Sequence, residues 1–459
     1  MPDDALPNQN VCPVCLAHPG ALPVPNKAAI EAVIKVGLAL GGEVAHVSKF
    51  DRKNYFYPDL PKGYQISQYD QPLVQTAGLL GVRVRRIHLE EDTARLVHET
   101  SSKSDVLSSN SLVDFNRSGV PLMELVTEPD IKSAEQAVEF AKELQLILRY
   151  LGVSDADMEK GHLRIEPNVS LATRGENDEW VLGTKTELKN INSFRAVAEG
   201  IAYELKRQEE VLEKGERVTQ ETRGWDEQNK KTVSQRSKED AHDYRYFPEP
   251  DIPPFVPGEL FDLESLKRSL PELPAHRRSR FMKEYELTEV QADILVWNSE
   301  MSAFFEAAIS ELDEEVGTPA VLSAFNYLTS DLRGIMNETG TSFDKLKINP
   351  ENFADLIALL QEGKIGSRQA KDILQFMFET GEDPREIMTR EGLETVQDSL
   401  AIETVVKEVI TEQPKAVEEY KQGKDATLQF LVGQAMKKLK GAGSPEILKE
   451  AFMVFLRKK

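Results

Sequence analysis

The chain has 459 residues, with 56 Lys and Arg against 77 Asp and Glu, a formal net charge of −21. Forty per cent of the residues are hydrophobic and 29% are charged, which excludes a disordered or collagen-like chain. No run approaches the roughly 20 apolar residues of a spanning helix, and two cysteines exclude a disulfide scaffold. The start, Met1-Pro2-Asp3-Asp4, shows no secretory pattern. The expectation is a cytoplasmic protein of about three domains, at roughly 150 residues each. The acidity opposes indiscriminate binding to nucleic acid, since phosphate neutralisation needs Lys and Arg.

In chain order, Cys12-Pro13-Val14-Cys15 has zinc-knuckle spacing but supplies two of the four ligands structural zinc needs. Asn26 suits an N-cap, and Ile30, Val33, Ile34 and Leu38 follow at helical spacing until Gly41-Gly42. Residues 51–70 set Tyr55, Tyr57, Tyr64 and Tyr69 among Arg52, Lys53, Asn54, Lys62 and Gln65. Pro58, Pro61 and Gly63 forbid a long helix there. Cations, amides and aromatic faces suit an anionic planar ligand, a nucleotide or an RNA end; the composition also suits a polar loop packed by its tyrosines. Val82 and Val84 alternate with Arg83 and Arg85 as in a strand. His88-Leu89-Glu90-Glu91-Asp92 follows, and alternation puts Glu91 on one face and Glu90 with Asp92 on the other. Such carboxylates suit Mg²⁺ shared with substrate phosphates, or a solvated acidic turn. Glu124 lies inside the apolar run Pro121–Val126; it is paired, metal-bound or protonated if buried, or it faces solvent.

Ser133-x-x-Gln136 opens a helix that runs to Gly152. Arg164, Glu166, Asn168, Lys185, Glu187, Lys189, Asn190 and Asn192 form a polar set before Ser193, which starts a helix ending at Gly215. This half reads as α+β with a mainly antiparallel sheet. Pro248, Pro250, Pro253 and Pro254 break the pattern, and from about Leu287 only helical periodicity is visible. Asn349-Pro350 and Ser444-Pro445 each suit a helix start. The expected division is 1–252, 253–349 and 350–459. The last part concentrates cations, Lys424, Lys437, Lys438 and Lys440, near Gly441 and Gly443. Generic nucleotide motifs are missing: no Gly-Lys-Ser/Thr loop, no Gly-x-Gly-x-x-Gly after a strand, no His-Glu-x-x-His.

Longer motifs carry a resemblance. They are residues 51–70, Glu90-Glu91-Asp92, Val113-Asp114-Phe115-Asn116-Arg117, Glu128-Pro129-Asp130 and Lys189-Asn190-Ile191-Asn192-Ser193-Phe194. Gln220-Glu221-Thr222-Arg223, the run Asp243-Tyr244-Arg245-Tyr246-Phe247-Pro248-Glu249-Pro250-Asp251 and Phe430–Lys437 belong to the same set. Together they resemble the B-subunit family of the aspartyl/glutamyl-tRNA amidotransferases. The resemblance implies a cradle-like α+β catalytic domain, a helical domain and a tRNA-binding tail. It implies a carbon–nitrogen ligase that phosphorylates the side-chain carboxylate of mischarged Glu-tRNA(Gln) or Asp-tRNA(Asn) with ATP and Mg²⁺. Ammonia from a glutaminase A subunit then displaces phosphate, and a small C subunit completes a heterotrimer. Carried over by residue, Glu91 and Glu124 are the acidic metal positions, and Lys53 is catalytic beside them. Asn54, Tyr55, Arg117, Lys189 and Asn190 are matched to ATP or the tRNA end. Lys424, Lys437, Lys438 and Lys440 are assigned to the tRNA body. Zinc is not expected at Cys12 and Cys15, and neither membrane nor DNA is an expected partner. The family's first strand, Gly-Leu-Glu-Val-His, has no match in this chain, which leaves a non-catalytic tRNA-binding scaffold as the other reading.

Overall fold

The computed structural model describes residues 5–98, 111–175, 178–237, 244–312, 317–394, 399–439 and 443–457. Contacts divide the chain into two units, Met1–Pro274 and Ala275–Lys459. The first holds the sheets and the second is helical, an α+β protein.

In the first unit α1 (Lys27–Ala39) begins where the Asn26 side chain accepts the Ala29 N–H at 3.2 Å. Its face of Ile30, Val33, Ile34 and Val36 is buried. Then come β1 (Glu43–Val44), β2 (Asp51–Asn54), β3 (Tyr64–Ser67), β4 (Val74–Leu79), β5 (Val82–Glu91), β6 (Arg95–His98), β7 (Ser111–Asp114) and β8 (Pro121–Thr127). One antiparallel sheet runs β1-β4-β5-β8 and covers α1. The helix comes close because residue 37 is glycine: a Cβ there would lie 2.5 Å from Val74 Cγ2. Val74 is fully buried and has nowhere to move. Gly37→Ala is therefore expected to cost about 1–3 kcal/mol, read as a lower urea midpoint; an unchanged midpoint contradicts this packing.

Strand β5 does more than fill the sheet. Val82 and Val84 face the core, and the register against β8 then shifts between Val84 and Arg86. A one-residue bulge reverses which side chains face inward. Past it, Ile87 and Leu89 take the core face, and His88 and Glu90 take the other.

The segment 51–70 is a hairpin, β2 against β3, joined by residues 55–63. After α2 (Ala134–Tyr150), capped by Ser133, come β9 (Asn168–Val169), β10 (Ala172–Arg174), β11 (Trp180–Leu182), β12 (Thr186–Lys189), α3 (Phe194–Glu213), β13 (Glu221–Asp226), β14 (Lys231–Ser237) and β15 (Phe247–Pro248). Strand β15 returns to pair with β2, making the sheet β15-β2-β3. The sheet β14-β13-β12-β9 contains one parallel pair, β12 with β13, and α3 is the crossover that a parallel pair requires. Leu188, Val197, Ile201 and Trp225 form its core.

The second unit is built of helices. Phe353 in Pro350–Gln361 packs edge-on against Phe304 at 5.5 Å, and Gln361 donates to Ser323 Oγ at 2.9 Å. The division expected at 349/350 thus falls inside one packed set of helices. Asn349 and Pro350 cap and open a helix; they are signals of a helix start and say nothing of a domain break. A separate core of Ile402, Val406, Val409, Leu431, Leu448 and Phe452 holds the last helices, Ser399–Glu412 to Pro445–Arg457. No helix among the described residues is long and apolar enough to cross a membrane.

Candidate functional site

Strands β5 and β8 bring three donor groups together. His88 pairs across the sheet with Glu124, and Glu90 stands two residues along the same face. His88, Glu90 and Glu124 each place a ligand atom within 4.8 Å of the others. His88 Nε2 lies 3.8 Å from Glu90 and 3.9 Å from Glu124, beyond hydrogen-bond reach. Its Nδ1 is buried with no hydrogen-bond partner among the described residues. Those spacings are wider than the roughly 3 Å between neighbouring ligands of a small cation with bonds of about 2.0–2.1 Å, so the three side chains would have to draw inward to hold one.

The sheet β15-β2-β3 covers this cluster. Glu90, 6% exposed, accepts from Ser67 Oγ at 2.7 Å and Gln65 Nε2 at 3.3 Å. Lys53 Nζ stands 3.4 Å from both of its oxygens. Burial works against the Glu90 charge, but His88, Lys53 and Ser67 hold its carboxyl below the usual value. Burial likewise disfavours the Lys53 charge, and Glu90, with Tyr246 and Glu124, holds the amine above its usual value. Lys53 is a fixed cation at an anionic site.

The expected metal pair was Glu91 with Glu124; the structure puts Glu90 in that place. Glu91 points to the opposite face, 2.5 Å from Lys62 Nζ, and accepts the Ile66 N–H at 3.0 Å. There it lines a cavity of about 280 Å³ with Cys12, Cys15, Phe50, Leu89 and Ile252. The two cysteine sulfurs are 3.1 Å apart and both thiols are free. Burial beside Cys12 and Glu91 pushes the Cys15 thiol up to about 12.

Other expected residues hold structure. The Asn54 amide donates to the Arg245 carbonyl at 2.8 Å, and the Asn54 N–H to that of Tyr244 at 2.9 Å, fixing the chain before β15. Arg52 finishes that anchor with paired bonds to Glu249 at 2.7 and 2.9 Å. Arg117 is taken by Asp92 at 2.8 Å and by the Gly161 carbonyl at 3.0 Å. Lys189 and Asn190 stand at the end of β12 in the other sheet, Lys189 3.6 Å from Glu166. Asn190 turns the chain with φ at 60°. Tyr55 meets Tyr244 edge-on at 6.2 Å, beside Lys53. In the tail, Lys438 bridges Glu408 and Glu412 at 2.8 and 2.6 Å, and Lys424 sits 3.4 Å from Glu419. Lys437 is exposed, and Lys440 lies outside the described residues. Gln65, His88 and Glu90 were named within candidate runs but given no assigned role, and Ser67 was not singled out. The signal for His88 and Glu90 was present in the His-x-Glu alternation, once β5 and β8 are paired through His88 and Glu124.

Two carboxylates, an imidazole and a fixed ammonium thus come together between two facing sheets. Residues 2–260 match the family model described as the GatB/GatE catalytic domain, and residues 303–456 match the GatB domain. The chain is 45% identical to the B subunit of the aspartyl/glutamyl-tRNA(Asn/Gln) amidotransferase of Persephonella marina, over 99% of this chain and 94% of that one. The protein of the same name from Thermotoga petrophila is 46% identical, over 96% and 91%. That from Carboxydothermus hydrogenoformans is 45% identical, over 97% and 91%. The chain belongs to the family of aspartyl/glutamyl-tRNA amidotransferase B subunits.

Proposed function

We propose that this chain activates the side-chain carboxylate of Glu-tRNA(Gln), Asp-tRNA(Asn) or both with ATP, and that ammonia from a partner glutaminase then forms the amide. It works in the cytoplasm as the B subunit of a heterotrimer with an A and a C subunit, a glutamine-dependent carbon–nitrogen ligase. The observation that carries this reading is the close set of His88, Glu90 and Glu124 beside Lys53.

A carboxylate does not react with ammonia until one oxygen becomes a leaving group. Phosphorylation supplies that group, and the task of the protein is positioning and charge stabilisation. His88, Glu90 and Glu124 would hold Mg²⁺, which offsets charge on the transferring phosphoryl oxygens. Lys53, kept charged by Glu90, offers a second cation to the same oxygens. Gln65 and Ser67 fix the Glu90 carboxylate, so no reorganisation is needed when charge develops.

The reading is tested by amide formation on each mischarged tRNA with A and C subunits present. Product on at least one, dependent on ATP and Mg²⁺, is the expected result; product on neither sinks it. For the tail, Lys437→Glu is expected to weaken tRNA affinity and flatten its salt dependence, since each phosphate contact contributes to the salt slope. Lys438→Glu also places a third acid beside Glu408 and Glu412 and loosens the tail itself. A salt slope unchanged by Lys437→Glu removes that face from the tRNA contact.

A further inference from the structure

The activation chemistry leaves the motif Cys12-Pro13-Val14-Cys15 unused. It folds as a tight turn. The Leu16 N–H donates to the Cys12 carbonyl at 3.1 Å, the Ala17 N–H to that of Val14 at 3.0 Å and the His18 N–H to that of Pro13 at 2.9 Å. The turn is tied down on both sides. Upstream, the Asn10 N–H donates to Asn116 Oδ1 at 2.8 Å, and Asn116 Nδ2 to the Leu6 carbonyl at 2.8 Å. Downstream, Cys15 fits against Gly119, where any side chain would collide with its sulfur. These anchors leave the two sulfurs 3.1 Å apart.

This spacing is shared by zinc sites and by redox dithiols, and the neighbouring donors decide between them. Structural zinc takes four ligands. Among the described residues, no third Cys, His, Asp or Glu brings a donor atom within 4.8 Å of both sulfurs. Glu91 lines the same cavity, but its carboxylate is held by Lys62 and by the Ile66 N–H at 3.0 Å. The residues present do not fit zinc. They do fit a thiol pair of unequal members. Cys12 is exposed, whereas Cys15 is buried. Burial works against a Cys12 thiolate, but the Cys15 N–H, 3.4 Å from its sulfur, and the Cys15 thiol hold Cys12 below the ordinary thiol value. An accessible attacking thiol with a covered one behind it is the arrangement that thiol–disulfide exchange needs.

We propose that Cys12 and Cys15 are a redox modification site, a dithiol converted to an intrachain disulfide by a low-molecular-weight disulfide and restored by a thiol. The Cys12 thiolate attacks one sulfur of the oxidant. A bond to Cys12 forms, the S–S bond of the oxidant breaks, and its other half leaves as a thiolate that takes up a proton. Cys15 then loses its proton and attacks the Cys12 sulfur, which forms the Cys12–Cys15 bond and releases the second half of the oxidant as a thiol. The two cysteines give up two electrons and two protons, and the oxidant takes both. In the mixed disulfide Cys12 carries no charge, so it no longer opposes the Cys15 thiolate as it does in the dithiol. In the cytoplasm proposed above thiols are kept reduced, so the dithiol is the resting form and the disulfide is the response to oxidation.

The test treats the full chain with glutathione disulfide, quenches in acid, alkylates the remaining thiols and weighs the product. The chain holds two cysteines, so the count is unambiguous. The wild type is expected to lose both alkylatable thiols, to be about 2 Da lighter before alkylation, and to regain both thiols with dithiothreitol. Cys15→Ser is expected to stop with one glutathione on Cys12. Cys12→Ser is expected to stay unmodified, because the Cys15 thiol is covered. Cys15→Ala repeats the trap without a hydroxyl at the buried position, and a thermal melt reports the folding of each variant. A wild type that keeps glutathione on Cys12, keeps both thiols free, or forms disulfides only between chains overturns the inference. So does zinc bound at one ion per chain and released when the two thiols are alkylated.

Discussion

Glu90→Gln is expected to lower tRNA-dependent amide formation on the order of 10²–10³-fold, the effect of removing one preorganised charge from a reacting centre. Glutamine keeps the shape and an oxygen for Ser67, but not the charge that faces His88 and Lys53. Glu91→Gln is expected to behave differently. It leaves the Lys62 cation, 6% exposed, without its carboxylate, so the loss appears in stability, with turnover per folded molecule held within a few-fold. Both variants are assayed in the assembled complex with saturating ammonia, beside a thermal melt. Equal losses of turnover would show that the strand face carrying Glu90 does not define the site.

The second large effect concerns the sheet that carries β13 and β14. Glu204 is fully buried in α3 and accepts from Arg207 at 2.9 and 2.6 Å, from Gln208 at 2.9 Å and from Thr232 at 3.0 Å. Arg223 stands 3.6 Å away. Glu204→Leu strands the largely buried Arg207 guanidinium, while Arg223 keeps Glu221, and is expected to cost about 3–5 kcal/mol. Burial alone pushes the Glu204 carboxyl up, but Arg207, Gln208 and Thr232 hold it below its usual value. A depressed folded pKa gives stability that is full above the unfolded value, about 4.3, and is lost as pH falls through the folded value. The wild type should therefore lose stability below about pH 4.3, and Glu204→Gln should lose less over that window. Urea unfolding followed by Trp225 fluorescence, with Trp180 and Trp297 replaced by Phe, reads this local region. Identical pH slopes for the two proteins contradict the role given to Glu204.

What was legible in the sequence was local. Asn26, Ser133, Ser193 and Asn349 each cap the helix that their position announces, because a cap and the turn after it lie within four residues. Strand β5 was visible in Val82 and Val84, but its bulge was not. The apolar residues change parity between Val84 and Ile87, across Arg85-Arg86, but that change does not say which strand pairs with β5 or that Glu124 comes to face His88. The choice between Glu90 and Glu91 hung on that pairing. The same limit explains the tyrosine-rich hairpin, which gains a third strand only when Phe247 and Pro248 return to Arg52 and Asp51. It explains Lys438 too: the cation count was right, but two acids 30 and 26 residues away hold that ammonium.

In the proposed function, activation and amide formation occur on this chain and the glutaminase only supplies ammonia. The most direct measurement replaces glutamine by ammonium chloride. The assembled complex, with its glutaminase inactivated, is given mischarged tRNA, ATP and Mg²⁺, and amide and ADP are counted together. The account predicts one ADP for each amide formed, no amide without ATP, and loss of both products with Glu124→Gln. Amide formed from ammonia without ATP consumption, or unaffected by Glu124→Gln, would contradict it.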